Sequence, residues 1–217
     1  MVRECASGSA KNGYRGMIDH ERQIPSEVSG RYEALKQKVA VRQVEFRKFI
    51  GFLEGETSWL TSPASTRYHL NVEGGLLMHS VGVAETALRL RYLLAPDLSE
   101  ESVVITALFH DVGKVGGSRK PYYLPNNNLW EVRNRGITYK VNPEIIAMNS
   151  AVRGLCLVSR FIPLCEEEAQ AIVAHDGLYP VYGGVANLEY HQAECRLLML
   201  IQFADKWTAA VEEEGRK

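Results

Sequence analysis

From Arg31 onward the apolar residues of this chain recur mostly at steps of three and four, and no strand-like run is long enough to build a central sheet. That pattern predicts an all-α helical bundle. Leu35, Val39, Arg42, Phe46, Phe49 and Leu53 mark one amphipathic helix over 31–54, with Gly55 as its stop. Leu77, Val81, Ala84 and Leu88 stripe a second, which opens at Gly74-Gly75 and ends near Pro96. Ser99 reads as the N-cap of a third, with Glu100 and Glu101 at the positive end of its dipole, running to His110 and broken at Gly113. Helical pattern returns over 143–161, 165–175 and 191–213. The acidic triplet Glu166-Glu167-Glu168 reads as a solvated helix start.

One stretch breaks the pattern. Between Gly116 and Val141 the runs 129–132 and 137–141 flank a polar Arg-Asn-Arg-Gly turn, so a small β-hairpin insertion is expected there. Residues 1–29 are rich in Gly, Ser, Ala and charge without helical periodicity, and are expected to form an irregular extension. Residues 30–217 then make one helical domain, with the motif-bearing region over 69–213.

Net charge excludes little except the bulk electrostatic routes. With 25 basic and 26 acidic residues the chain has no global attraction for nucleic acid or an anionic membrane, so phosphate recognition must be local. Cys5, Cys156, Cys165 and Cys195 form no CxxC pair, which argues against a zinc ribbon or redox motif and for reduced thiols. The first residues lack an apolar signal-peptide core, and no run approaches the roughly 18 apolar residues of a spanning helix. A cytoplasmic protein without a membrane partner is the expectation; oligomeric state is left open.

The sharpest local feature is Leu108-Phe109-His110-Asp111-Val112-Gly113-Lys114, an apolar helix that ends in adjacent His and Asp. Adjacent helical residues point about 100° apart, so both reach one ion only over the edge they share, which a helix end makes easier. His79 borders the apolar face of the preceding helix, and Asp205 lies on the last one, where a core-facing carboxylate requires a partner. Taken singly, each has an ordinary alternative: a packed histidine, or an aspartate in a salt bridge. Together they make a mixed N/O set suited to one divalent ion among Mn, Fe, Co, Ni, Zn and Mg.

The strings Gly74-Gly75-Leu76-Leu77-Met78-His79-Ser80, Ala107 to Lys114, and Ala204-Asp205-Lys206 resemble the HD superfamily of metal-dependent phosphohydrolases, with its H…HD…D order. The resemblance implies the HD-type helical fold and assigns His79, His110, Asp111 and Asp205 as metal ligands. It also implies hydrolysis of a phosphomonoester or phosphodiester, with Asp111 both holding metal and orienting water.

Lys114 is placed to reach a substrate phosphate, its alternative being a helix-terminal surface cation. Arg119 and Lys120, after Gly116-Gly117, are candidate phosphate clamps, as are Arg133 and Arg135. His175 is expected to line the pocket or transfer a proton. Asp176, and Asn149-Ser150 where a binuclear member would be expected to supply His, favour one metal over two. His69 is expected to cap or pack and His191 to be structural or exposed. Tyr122, Tyr123, Trp130, Tyr179 and Tyr182 cover the core from the loops or stack on a base. The expected substrate is a phosphorylated small molecule, a nucleotide first. Alternatives are a 3′-to-5′ exonuclease-like activity on single strands and a non-catalytic metal- or nucleotide-binding regulatory module.

Overall fold

The computed structural model describes residues 26–117, 120–177 and 194–213, without the side chain of Glu27. Arg119, Tyr179, Tyr182, His191 and Cys5 lie outside these residues. Among the described residues the chain forms eight α-helices and one two-stranded sheet, an all-α bundle. None of these helices is long and apolar enough to cross a membrane.

Two helices occupy the segment read as one. Helix α1 spans Ser26–Lys36 and α2 spans Gln43–Glu56, running past Gly55. The break has a tertiary cause: the Glu101 carboxylate accepts the backbone N–H groups of Ala40 at 2.8 Å, Val41 at 2.6 Å and Arg42 at 3.2 Å. Those donors would otherwise bond within a continuous helix. Arg42, read as part of the apolar stripe, pairs instead with Glu101 at 2.7 Å and Glu168 at 2.6 Å. Glu168 is therefore buried, contrary to the solvated reading of its triplet.

Helix α3, Gly75–Leu94, is the central element, buried on more than one side and packed on α4 (Glu100–Phe109). Ser99 caps α4 as expected, its hydroxyl accepting Ser102 N–H at 3.3 Å. Phe49 of α2 meets Phe109 edge-on at 4.8 Å between centroids, and Trp59 is fully buried with its indole N–H donated to Tyr32 at 3.1 Å. A 3₁₀ turn, Val112–Val115, follows α4. A Cβ on Gly113 would stand 1.8 Å from the Ser150 carbonyl oxygen, so only glycine lets the helix that begins at Ser150 close on this turn.

The hairpin exists, with its second strand inside the expected run 137–141 but its first strand further upstream. Tyr123–Pro125 (β1) pairs antiparallel with Tyr139–Val141 (β2), in the register Tyr123 with Val141. The run at 129–132 is instead helix α5, Leu129–Arg135. Asn128 caps it by accepting Trp130 and Glu131 N–H groups, and Gly136 ends it at φ 66°. Helix α6 covers Ser150–Ser159, shorter than 143–161, because Asn149 caps it through the N–H groups of Ala151 and Val152. Helix α7 covers Glu166–Ala174. Helix α8, Arg196–Trp207, begins after Cys195, whose sulfur accepts Leu198 N–H at 3.3 Å, and continues as a π-helical turn over Thr208–Glu213.

Candidate metal centre

Two helices and the C-terminal ends of two others deliver polar side chains to one buried place. His79 comes from the second turn of α3, His110 and Asp111 from the C-terminal end of α4, His175 from the C-terminal end of α7, and Asp205 from α8. The His79 and His110 rings lie 5.2 Å apart, and those of His110 and His175 4.8 Å. All three imidazoles are buried.

Local geometry settles which nitrogen faces inward. His110 closes α4, so its Nδ1 donates to the Ala107 carbonyl three residues back, at 2.7 Å. His175 does the same on α7, to Ile172 at 2.9 Å. Helix C-termini leave such carbonyls unpaired, and a donor that uses Nδ1 leaves Nε2 for the site. His79 turns Nδ1 to the Glu213 carboxylate at 2.9 Å.

The inward atoms then form two overlapping groups. His79 Nε2 lies 3.0 Å from Asp205 Oδ1, and His110 Nε2 lies 3.9 Å from the same oxygen. His110 Nε2 is also 3.6 Å from Asp111 Oδ2, and His175 Nε2 is 3.4 Å from Asp111 Oδ1. His79, His110 and Asp205 are close enough to hold a cation, as are His110, Asp111 and His175.

Burial and neighbouring charge pull these groups apart in basicity. Burial disfavours the charged form of His79, yet its hydrogen bonds to Asp205 and Glu213 prevail and raise it to about 10. Burial likewise opposes the charge on His175, and the Asp111 hydrogen bond overcomes it, giving about 9. For His110 burial wins, pushing it down to about 4. Burial would raise Asp111 and Asp205, but the Lys114 ammonium beside the first and the His79 hydrogen bond to the second hold both below the usual range.

The deciding atom is His110 Nε2. It is fully buried, has no hydrogen-bond partner, and points at two carboxylates held in their anionic form. A buried lone pair without a donor costs free energy unless a cation takes it, and the N/O donor set suits a divalent ion. The HD domain family model matches residues 76–210, well over half of the chain. The chain belongs to the HD domain family. No curated protein and no solved structure matches it.

Around the core of this HD domain, Lys114 lies with Nζ against Asp111 Oδ2, and burial, which opposes its charge, is outweighed by that carboxylate. Lys120 is exposed, its ammonium 4.0 Å from the Glu144 carboxylate. Asn149, read as the place of an absent histidine, is the α6 cap. Trp130 is exposed and forms no part of the core. Glu213, to which no sequence motif points, enters from the π turn. Tyr123, a candidate for core cover or base stacking, comes from β1 close to Lys114 and Asp111, its phenol pushed up to about 12, chiefly by burial.

Proposed function

We propose that this HD domain is a metal-dependent phosphohydrolase that cleaves a phosphate ester of a small molecule, with a nucleotide as the favoured substrate. The observation that carries the reading is the unpartnered His110 Nε2, aimed at the Asp111 and Asp205 carboxylates. His79, His110, Asp111 and Asp205 hold the ion. When bound, it supplies Lewis-acid chemistry, polarising a phosphoryl oxygen and lowering the pKa of a water.

The remaining groups fit the same reaction. Lys114, charged and beside Asp111, neutralises a phosphate oxygen at the site edge. His175, hydrogen-bonded to the other Asp111 oxygen, holds a proton at Nε2 that it can pass to a leaving alkoxide. Tyr123, from the hairpin, is near enough to Lys114 and Asp111 to feel their charges. A chain of net charge -1 suits a compact phosphorylated ligand better than a polyanion.

Phosphate release is to be followed from nucleoside mono-, di- and triphosphates, cyclic nucleotides and single-stranded oligonucleotides with Mn, Co, Ni, Zn and Mg. The reading expects turnover of at least one nucleotide, reduced at least about a hundredfold in Asp111→Ala, since even partners behind a ligand are worth about 10–100-fold. Turnover of oligonucleotides alone would favour the exonuclease-like role. Silence with every metal and substrate would favour a binding module.

A further inference from the structure

We propose that Glu213 is a positioning residue for the metal centre: its carboxylate accepts the Nδ1 proton of His79 and so presents the Nε2 lone pair to the ion. This rests on the metal-centre reading above. Glu213 and its neighbour His69 both lie outside residues 76–210, so the family match does not assign them.

The need for such a residue follows from where His79 sits. A neutral imidazole has one lone pair, and the nitrogen that carries the proton is set by what that proton meets. His110 and His175 close their helices and use the free carbonyls of the last turn. His79 sits near the start of the twenty-residue α3, where the carbonyls of the preceding turn are taken by the helix itself. Its acceptor has to come from elsewhere. Glu213 supplies it at 2.9 Å, with a side chain only 6% exposed.

The chain reaches that position through two local devices. After α8 it winds as a π-helix over Thr208–Glu213, a rare, wide turn that packs on α3 and is of a kind frequently found at functional sites. On α3, Gly82 makes the room: a Cβ there would stand 2.9 Å from Thr208 Cγ2 and 4.0 Å from Glu213 Oε1. The outer side is closed by His69, whose ring lies 4.9 Å from that of His79. His69 Nε2 is 4.0 Å from Glu213 Oε2, and both atoms are buried without a hydrogen-bond partner. Leu70, next to His69, adopts φ 43°, a conformation a branched side chain takes only when its surroundings impose it. The Leu70 carbonyl lies so close to Gly75 that a Cβ there would stand 2.0 Å from it, which fixes the corner. The outer face of His79 is thus built as deliberately as the inner one.

His69, His79 and Glu213 are also close enough to hold an ion of their own. That arrangement would require both ring nitrogens of His79 to act as ligands at once, which a neutral imidazole with one lone pair cannot do. A carboxylate acceptor on Nδ1 instead raises the basicity of Nε2 as a ligand.

Zn2+ calorimetry on the full chain, with metal-free melting temperatures alongside, tests this in the wild type, Glu213→Ala and Glu213→Gln. Glu213→Ala is expected to weaken Zn2+ binding about 10–100-fold, and Glu213→Gln to regain most of it, because the amide oxygen accepts the same hydrogen bond. In 15N–1H spectra of the Zn2+-loaded wild type, His79 Nδ1 is expected to carry a slowly exchanging proton. That spectrum decides the matter even where Glu213→Ala fails to fold. An Ala variant within about twofold of wild type in affinity, against the 10–100-fold usual for such partners, overturns the proposal. So does the loss of one bound ion from the stoichiometry, or a His79 Nδ1 without a proton. A wild type that binds no Zn2+ overturns the metal centre itself and this role with it.

Discussion

His110 Nε2 and Asp205 Oδ1 face each other at 3.9 Å with no hydrogen bond between them, inside a site where the histidine is fully buried. The separation is wide for a hydrogen bond and suits two atoms that share a third partner. His110→Leu removes the unpaired nitrogen, relieving about 1–3 kcal/mol, and also the Nδ1 bond to Ala107, worth about 0.5–1.5 kcal/mol. The metal-free variant is therefore expected to melt close to the wild type. The stabilisation by metal, about 4 kcal/mol at a thousandfold excess over Kd, is expected to vanish. Thermal melts with and without Zn2+ read both effects.

Arg42 joins three helices through carboxylates from α4 and α7, and the Glu168 side chain is 1% exposed. Removing one partner of such a cluster leaves the others buried and unpaired. Arg42→Met is expected to cost about 3–5 kcal/mol in urea unfolding. The double variant with Glu168→Gln should cost less than the sum of the two singles, because they share one interaction.

The same cluster sets a pH dependence. Burial pushes Glu101 and Glu168 up, but Arg42 and the backbone N–H groups they accept pull both below their ordinary values. A depressed folded-state value means the unfolded chain binds protons first. The stabilisation is then complete above the unfolded value of about 4.3 and is lost as pH falls through the lower folded ones. Urea midpoints measured downward from pH 6 should fall across that window, and the Glu168→Gln variant should show a shallower slope.

Gly82 and Gly113 are both held by close approach, but against different kinds of neighbour. Gly82→Ala places a methyl 2.9 Å from Thr208 Cγ2, and the expected cost is about 1–3 kcal/mol, the usual range for overpacking. Thr208→Ser removes the opposing methyl and should recover most of that loss in the double variant. Gly113→Ala meets backbone, the Ser150 carbonyl oxygen at 1.8 Å and Gly154 N at 2.8 Å. No such rescue is expected there, because α6 itself must move. Denaturation midpoints of the four variants separate the two cases.

What the sequence revealed depended on how local each signal was. The start of α4 was legible because Ser99 is its own cap, and α3 because its stripe and Gly74-Gly75 lie within one helix length. The break between α1 and α2 was not, because its cause is Glu101, some sixty residues on in the chain. The run at 129–132 had strand-like residues, yet the Asn128 cap and Gly136 at φ 66° make it a helix. At the site, His79, His110, Asp111 and Asp205 carried a motif, and the fold does bring them together. His175 was recognised as a neighbour without its distance to Asp111. Glu213 and Tyr123 reach the cluster through a π turn and a short strand, and neither carries a pattern that points inward. Asn149 stands where a second metal site would call for histidine, and its side chain serves as the α6 cap instead.

The most direct test of the metal centre is anomalous diffraction at the manganese edge from crystals of the full chain soaked in Mn2+. The account predicts one peak within coordination distance of His79 Nε2, His110 Nε2, Asp111 and Asp205. A fully exchanged crystal with no peak in this cluster, or a peak only at surface carboxylates, would contradict it.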